Sequence, residues 1–168
     1  MLRATAAISL ALGAAAPAVA DVLVEFSEGA PKDRFTITGL ATCPLGRADV
    51  MIDLSGSTAG LIFDVTGSGA GVEVFQPFEN VSSTADLIKA TDVRDGDTRI
   101  SLTLRDITQG VSVAFTIDVD DTAGTRETVV SGSEILGATV SVASGAGTQT
   151  GVFGQDGTAL VKIDGCLS

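Results

Sequence analysis

The stretch "VSVAFTIDVDD", residues 111–121, decides the fold. Val111, Val113, Phe115, Ile117 and Val119 recur at every second position, with Ser112, Ala114, Thr116, Asp118 and Asp120 between them. Period two marks a strand with one buried face, because successive side chains point to opposite sides of a sheet. Read this way, Asp118 and Asp120 share the wet face with Cα atoms about 6.5–7 Å apart. Asp121 then opens the turn "DTAG".

The same alternation runs outward in both directions. It predicts strands over Val22–Phe26, Phe35–Thr38, Val50–Leu54, Leu61–Val65, Val72–Phe75 and Ile100–Leu104. After Val119 it predicts further strand at Val129–Val130, Ile135–Val142, Val152–Phe153 and Leu160–Ile163. Turn signals such as "GSTAG", "RDGD", "TQG", "SGAG" and "QDG" separate these runs at intervals of about 8–12 residues. Asp95-Gly96 predicts a type I′ hairpin turn, which needs positive φ at both central residues. Only "STADLIKA", residues 83–90, offers a helical turn, with Ser83 or Thr84 as its cap. The expected fold is therefore all-β, a single β-sandwich with immunoglobulin-like or Greek-key links over residues 21–168. With seven Phe and no Trp or Tyr, its core must be aliphatic with phenylalanine plugs, and the Cys-Trp-Cys arrangement of antibody domains is absent.

Residues 1–20, "MLRATAAISLALGAAAPAVA", read as a signal peptide: one early positive charge, an apolar stretch, and the small-x-small sequence Ala18-Val19-Ala20 at the cut. Its roughly 10–14 apolar residues fall short of the ~20 that span a bilayer. The expectation is export, either to the periplasm or to the cell exterior, with no membrane span in the mature chain. Export explains the two cysteines, Cys43 and Cys166, which predict one disulfide in an oxidising compartment. Closing so long a loop stabilises by roughly 4–5 kcal/mol in the chain-entropy model. Neither cysteine sits in a CxxC pair, and a chain without histidine and with two sulfurs cannot build an ordinary zinc site.

The formal charge is −11, and about −12 once Arg3 leaves with the leader. An acidic surface repels phosphate backbones and anionic membranes, so nucleic acid is a poor partner; divalent cations and basic surfaces are better ones. The aspartates at 118, 120 and 121 carry two readings. They would supply two or three of the six to eight hard oxygens that calcium takes, with Asp92, Asp95, Asp97, Glu25 and Glu28 as further candidates. The plainer reading, which the residues favour, is that they cap turns and keep sheet edges from pairing with other chains. "TGSGAGVEVF" lacks the lysine and the helix of a phosphate loop. Asn80-Val81-Ser82 matches the glycosylation pattern.

With no histidine and no tyrosine, Ser-His-Asp, Cys-His and zinc-hydrolase chemistry is excluded. A glycosidase carboxylate pair remains formally open, but the chain lacks the Trp and Tyr platforms on which sugars stack. The residues point to a protein that is not an enzyme.

The strings "VEFSEGAPKDRFTITG", "GLIFDVTGSGAGVEVFQPFE" and "VSVAFTIDVDD" resemble bacterial aggregation factor core proteins, a family named after the marine sponge aggregation factor core. The resemblance runs from about Val22 to Asp121. It implies an extracellular β-domain linked to cell adhesion or matrix, with calcium in the sponge assembly. The partner expected is an extracellular protein or glycan surface. The competing expectation is a metal-free structural or periplasmic interaction protein.

Overall fold

The computed structural model describes residues 21–40, 43–67, 75–82, 86–123 and 131–163. Its strands are β1 (Val22–Ser27), β2 (Asp33–Gly39), β3 (Ala48–Asp53), β4 (Ile62–Phe63), β5 (Glu79–Asn80) and β6 (Leu87–Ala90), followed by β7 (Arg99–Leu104), β8 (Ser112–Ile117), β9 (Val119–Asp120), β10 (Thr139–Ser144), β11 (Gly147–Val152) and β12 (Thr158–Val161). They form two five-stranded sheets, in the orders β12-β1-β2-β8-β5 and β11-β10-β3-β7-β6, with β4-β9 as a separate pair. This is a β-sandwich.

Register explains why the alternating residues meet. In the first sheet Phe26 lies opposite Phe35, and Phe35 opposite Phe115, so three rings fall in one row across β1, β2 and β8. Their centroids are 5.1 and 5.2 Å apart, and Phe78 continues the row at 5.1 Å from Phe115. In the second sheet Val142, Val50 and Leu102 form one row, and Val140, Ile52 and Ile100 the next. All these residues except Phe78 are buried, and each large side chain fully withdrawn from water contributes about 1.5–3 kcal/mol. The inward set, Val, Ile, Leu and Phe, is the one that the alternation marks.

The two long sides of the sandwich differ. On one side β11 and β12, consecutive in sequence, bring the sheets together. A Cβ at Gly151 would stand 2.6 Å from the Leu160 carbonyl oxygen, so only glycine permits this approach. Gly151→Ala is therefore expected to destabilise by about 2 kcal/mol through forced separation of backbones. Val152→Ala, next to it but 58% exposed, should change little. Urea denaturation of both variants checks this; equal midpoints would mean that the approach is loose.

On the other side the sheets end in β5, two residues long, and β6, whose register on β7 shifts between Leu87 and Lys89. Short, bulged, charged edges discourage pairing with further strands. Asn80 of the glycosylation pattern lies on β5, where its side-chain oxygen accepts from the Ser82 backbone N–H at 3.0 Å.

Several expectations are corrected. Leu87–Ala90 is a strand, not part of a helical turn: Leu, Lys and Ala favour helix, but pairing with β7 overrides them. The cap residues Ser83 and Thr84 lie outside the described residues. At Asp95-Gly96 the turn closes from the Asp97 N–H to the Arg94 carbonyl at 3.0 Å with positive φ at Gly96 alone, so it is not type I′. Ile135 belongs to a turn, and strand resumes only at Thr139. Of the strand expected at Val152–Phe153 only Val152 is in a strand, as the last residue of one that starts at Gly147, and Phe153 lies beyond it. Val72–Val74 and Val129–Val130 lie outside the described residues, and Phe75 is not in a strand. Cys43 is half-buried beside the core; among the described residues no cysteine is a free thiol. Cys166 lies outside them, and the expected bridge with it.

Candidate functional site

The period-two pattern of 111–121 breaks at Asp118. Strand β8 ends at Ile117, and the chain leaves the first sheet to pair with β4, placing Phe63 opposite Val119 and Ile62 opposite Asp120. At the break the Asp118 N–H donates to the Gln76 carbonyl at 3.4 Å, and its own carbonyl accepts from Asp64 N–H at 3.2 Å. The change of partner changes which residues face water. Asp120 and Asp121 are buried, not solvent-facing, and Asp118 is half-buried. The expected wet face is already covered at Ala114 and ends at Thr116.

The same crossing gathers carboxylates that lie far apart in sequence. Asp33, at the start of β2, stands in register with Ile117. One of its oxygens accepts from the Gly29 N–H and the other from the Val119 N–H, both at 3.1 Å, so it ties the β1–β2 turn to β9. Burial pushes the Asp33 carboxyl up to about 7 against these two bonds, with the charges of Asp118 and Asp120 adding to the rise. Burial likewise pushes Asp118 up to about 7, followed by repulsion from Asp120 and Asp64; Lys32 opposes it. Asp33, Asp64, Asp118 and Asp120 thus form an acidic pole at one end of the sandwich. The opposite end is where β1 begins and β12 finishes, Val22 beside Val161.

The remaining candidates are engaged in local hydrogen bonds or lie elsewhere, and Asp95 also reaches Asp64 of the pole through a side-chain hydrogen bond. Asp95 accepts from the Val65 and Thr66 backbone N–H groups at 2.7 and 2.8 Å and from the Thr66 hydroxyl, which above all holds it below the usual carboxylate range. Asp97 accepts from the Arg94 N–H at 2.8 Å, within its own turn. Glu25 sits on β1 and Glu28 in the turn after it, and both are at least partly exposed. Asp33 and Asp64 are the members that sequence reasoning missed. Asp33 sits in the turn string "APKD" and Asp64 in an apolar run, and neither position carries a local signal for a site.

Calcium tests this pole by its donor set. Four carboxylates of like charge attract a divalent cation electrostatically, and the one nearby cation, Lys32, opposes them. The geometry is less accommodating. Among the described residues no three of His, Cys, Asp or Glu converge as a metal-holding group, and both oxygens of Asp33 already accept backbone hydrogen bonds. Asp118, Asp120 and Asp121 do not meet around one point. Among the described residues no helix is long and apolar enough to cross a membrane.

No family model matches the chain, nor does any curated protein or any solved structure.

Proposed function

We propose that this chain is an exported, acidic β-sandwich that works by binding, in cell adhesion or aggregation, with calcium drawn to its acidic pole. The supporting observation is the crossing at Asp118, which concentrates Asp33, Asp64, Asp118 and Asp120 at the end of the domain opposite to where β1 begins and β12 finishes. A cation there would offset the burial, and relieve the smaller repulsion, that hold protons on Asp33 and Asp118. Asp118, half-buried at the break, is the carboxylate with most freedom to turn toward it. The leader at residues 1–20 and the Cys43–Cys166 pair support an oxidising, extracytoplasmic location, and the absence of histidine favours binding over catalysis.

Extracellular calcium modules bind at roughly 0.1–1 mM. At several millimolar calcium such a site stabilises by about 1–2 kcal/mol, a rise in Tm of several degrees. Thermal melts in 5 mM CaCl2 against EDTA should show it for the native protein, and neither Asp118→Asn nor the Asp118, Asp120 and Asp121 triple asparagine variant should. A shift that survives in both variants removes the pole from consideration.

The second reading is a metal-free interaction protein. It is favoured by the two N–H bonds to Asp33, which make this carboxylate a brace in its own right. Calorimetry separates the two, because this reading requires no heat above dilution.

A further inference from the structure

We propose that a pocket on the open side of the sandwich takes a basic side chain, arginine or lysine, presented by a protein partner. This deepens the binding function above and rests on it for the existence of a protein partner.

The pocket lies between Pro77-Phe78, ahead of β5, and Ala90–Val93, at the end of β6, where the two sheets part. Its volume is about 270 Å³. Pockets for small-molecule ligands generally run from about 300 to 1,000 Å³, so this one suits a single side chain. Val65, Pro77, Phe78, Ala90 and Val93 supply apolar walls, and among the described residues Asp92 supplies the only charge on them. The ring of Phe78 is the outer end of the phenylalanine row that crosses β1, β2 and β8, so the core fixes its position.

Charge decides the occupant. Lys32, beside β5, is committed to Glu79 at 3.0 Å and to the Pro77 carbonyl at 3.1 Å, and among the described residues neither exposed Lys89 on β6 nor exposed Arg94 after Val93 forms an ion pair with Asp92. Among the described residues Asp92 has no ion pair and no side-chain hydrogen bond. An apolar slot with an aromatic wall and one uncompensated carboxylate matches the two parts of a basic side chain. The methylene stem lies along the walls, and the cationic head reaches both the ring and the carboxylate. The net charge of −11 draws basic partners toward the same surface. The two-residue β5 and the bulged β6 make strand addition a poor way to use this edge, which leaves the pocket as its means of recognition.

The test is an NMR titration of the purified, isotope-labelled protein in EDTA, so that its result is independent of calcium. The probes are N-acetyl-arginine amide and N-acetyl-lysine amide, with N-acetyl-norleucine amide as the uncharged control. The basic probes should shift the amide signals of Ala90, Thr91 and Val93 and saturate in the millimolar range, and the control should not. Asp92→Asn, at an exposed position, should weaken binding about threefold to tenfold, and Ala90→Leu, which fills the slot, should abolish it. The proposal is overturned by absent shifts, by equal shifts with norleucine, or by affinity unchanged in Asp92→Asn. Cadaverine binding more than tenfold tighter than acetyl-lysine amide would overturn it too, by identifying a free amine as the ligand.

Discussion

Phe115→Ala is expected to lower the free energy of unfolding by about 4 kcal/mol, close to the whole margin of many single domains. Phe115 is fully buried. It lies over Phe35 at 5.2 Å with an interplanar angle of 15° and touches Phe78 at 5.1 Å. Its removal deletes transfer energy, leaves a ring-sized cavity in a row fixed by strand register, and forfeits two ring contacts of about 0.5–1.5 kcal/mol each. The neighbouring strands cannot close the gap without breaking the register between β2 and β8. Phe115→Leu should recover more than half of the loss. Phe75→Ala, at a ring 69% exposed, should stay within about 0.5 kcal/mol of the native protein. Urea midpoints of the three variants provide the comparison, and a cost below about 2 kcal/mol for Phe115→Ala would mean that the ring is not enclosed.

Between pH 5 and pH 8 the metal-free protein is expected to become less stable as pH rises. Unfolded aspartates titrate near 3.9, whereas burial raises Asp33 and Asp118 to about 7 in the fold. Across that interval the folded state holds protons that the unfolded chain has released, so stability is fullest at the acid end and drains away as pH passes through 7. At 1.36 kcal/mol per unit the rise at Asp33 sets an upper bound of about 4 kcal/mol. Water and mobile charge at the pole reduce this to the order of 2 kcal/mol, and half-exposed Asp118 adds less. Asp95 and Asp156 are held below the usual range by hydrogen bonds, from Thr66 and Thr158 foremost, so their opposite slope is confined below about pH 4. Urea unfolding in EDTA at four pH values measures the slope, and the Asp33→Asn, Asp118→Asn double variant should flatten it. A native slope of the opposite sign would mean that these carboxylates are well hydrated.

Sequence periodicity identified most of the framework because burial of alternate residues is a local property. β1, β2, β3, β7 and β8 lie where Val22, Phe35, Val50, Ile100 and Val113 place them. The edge strands escaped it. Glu79-Asn80 and Leu87–Ala90 bury little, so their conformation comes from hydrogen bonding to a neighbour that no local pattern reveals. The acidic site was legible only in part. Asp118 and Asp120 stand out in the string, but continued alternation predicts an exposed Asp120. The switch of partner at Asp118 depends on the backbone of Asp64 and Gln76, 54 and 42 positions away. The contribution of Asp33 rests on the same long-range meeting.

One consequence follows from the pairing of Val22 with Val161. The first and last strands lie side by side and antiparallel, so whatever extends before β1 and after β12 departs from the same end of the molecule. Tension applied between the start of β1 and the end of β12 would open their seam like a zipper, one rung after another, instead of shearing all its rungs at once. The seam has only four such rungs, Val22–Val161 to Glu25–Thr158. A domain loaded this way yields gradually at one margin while β2, β8 and the ring stack behind them stay whole.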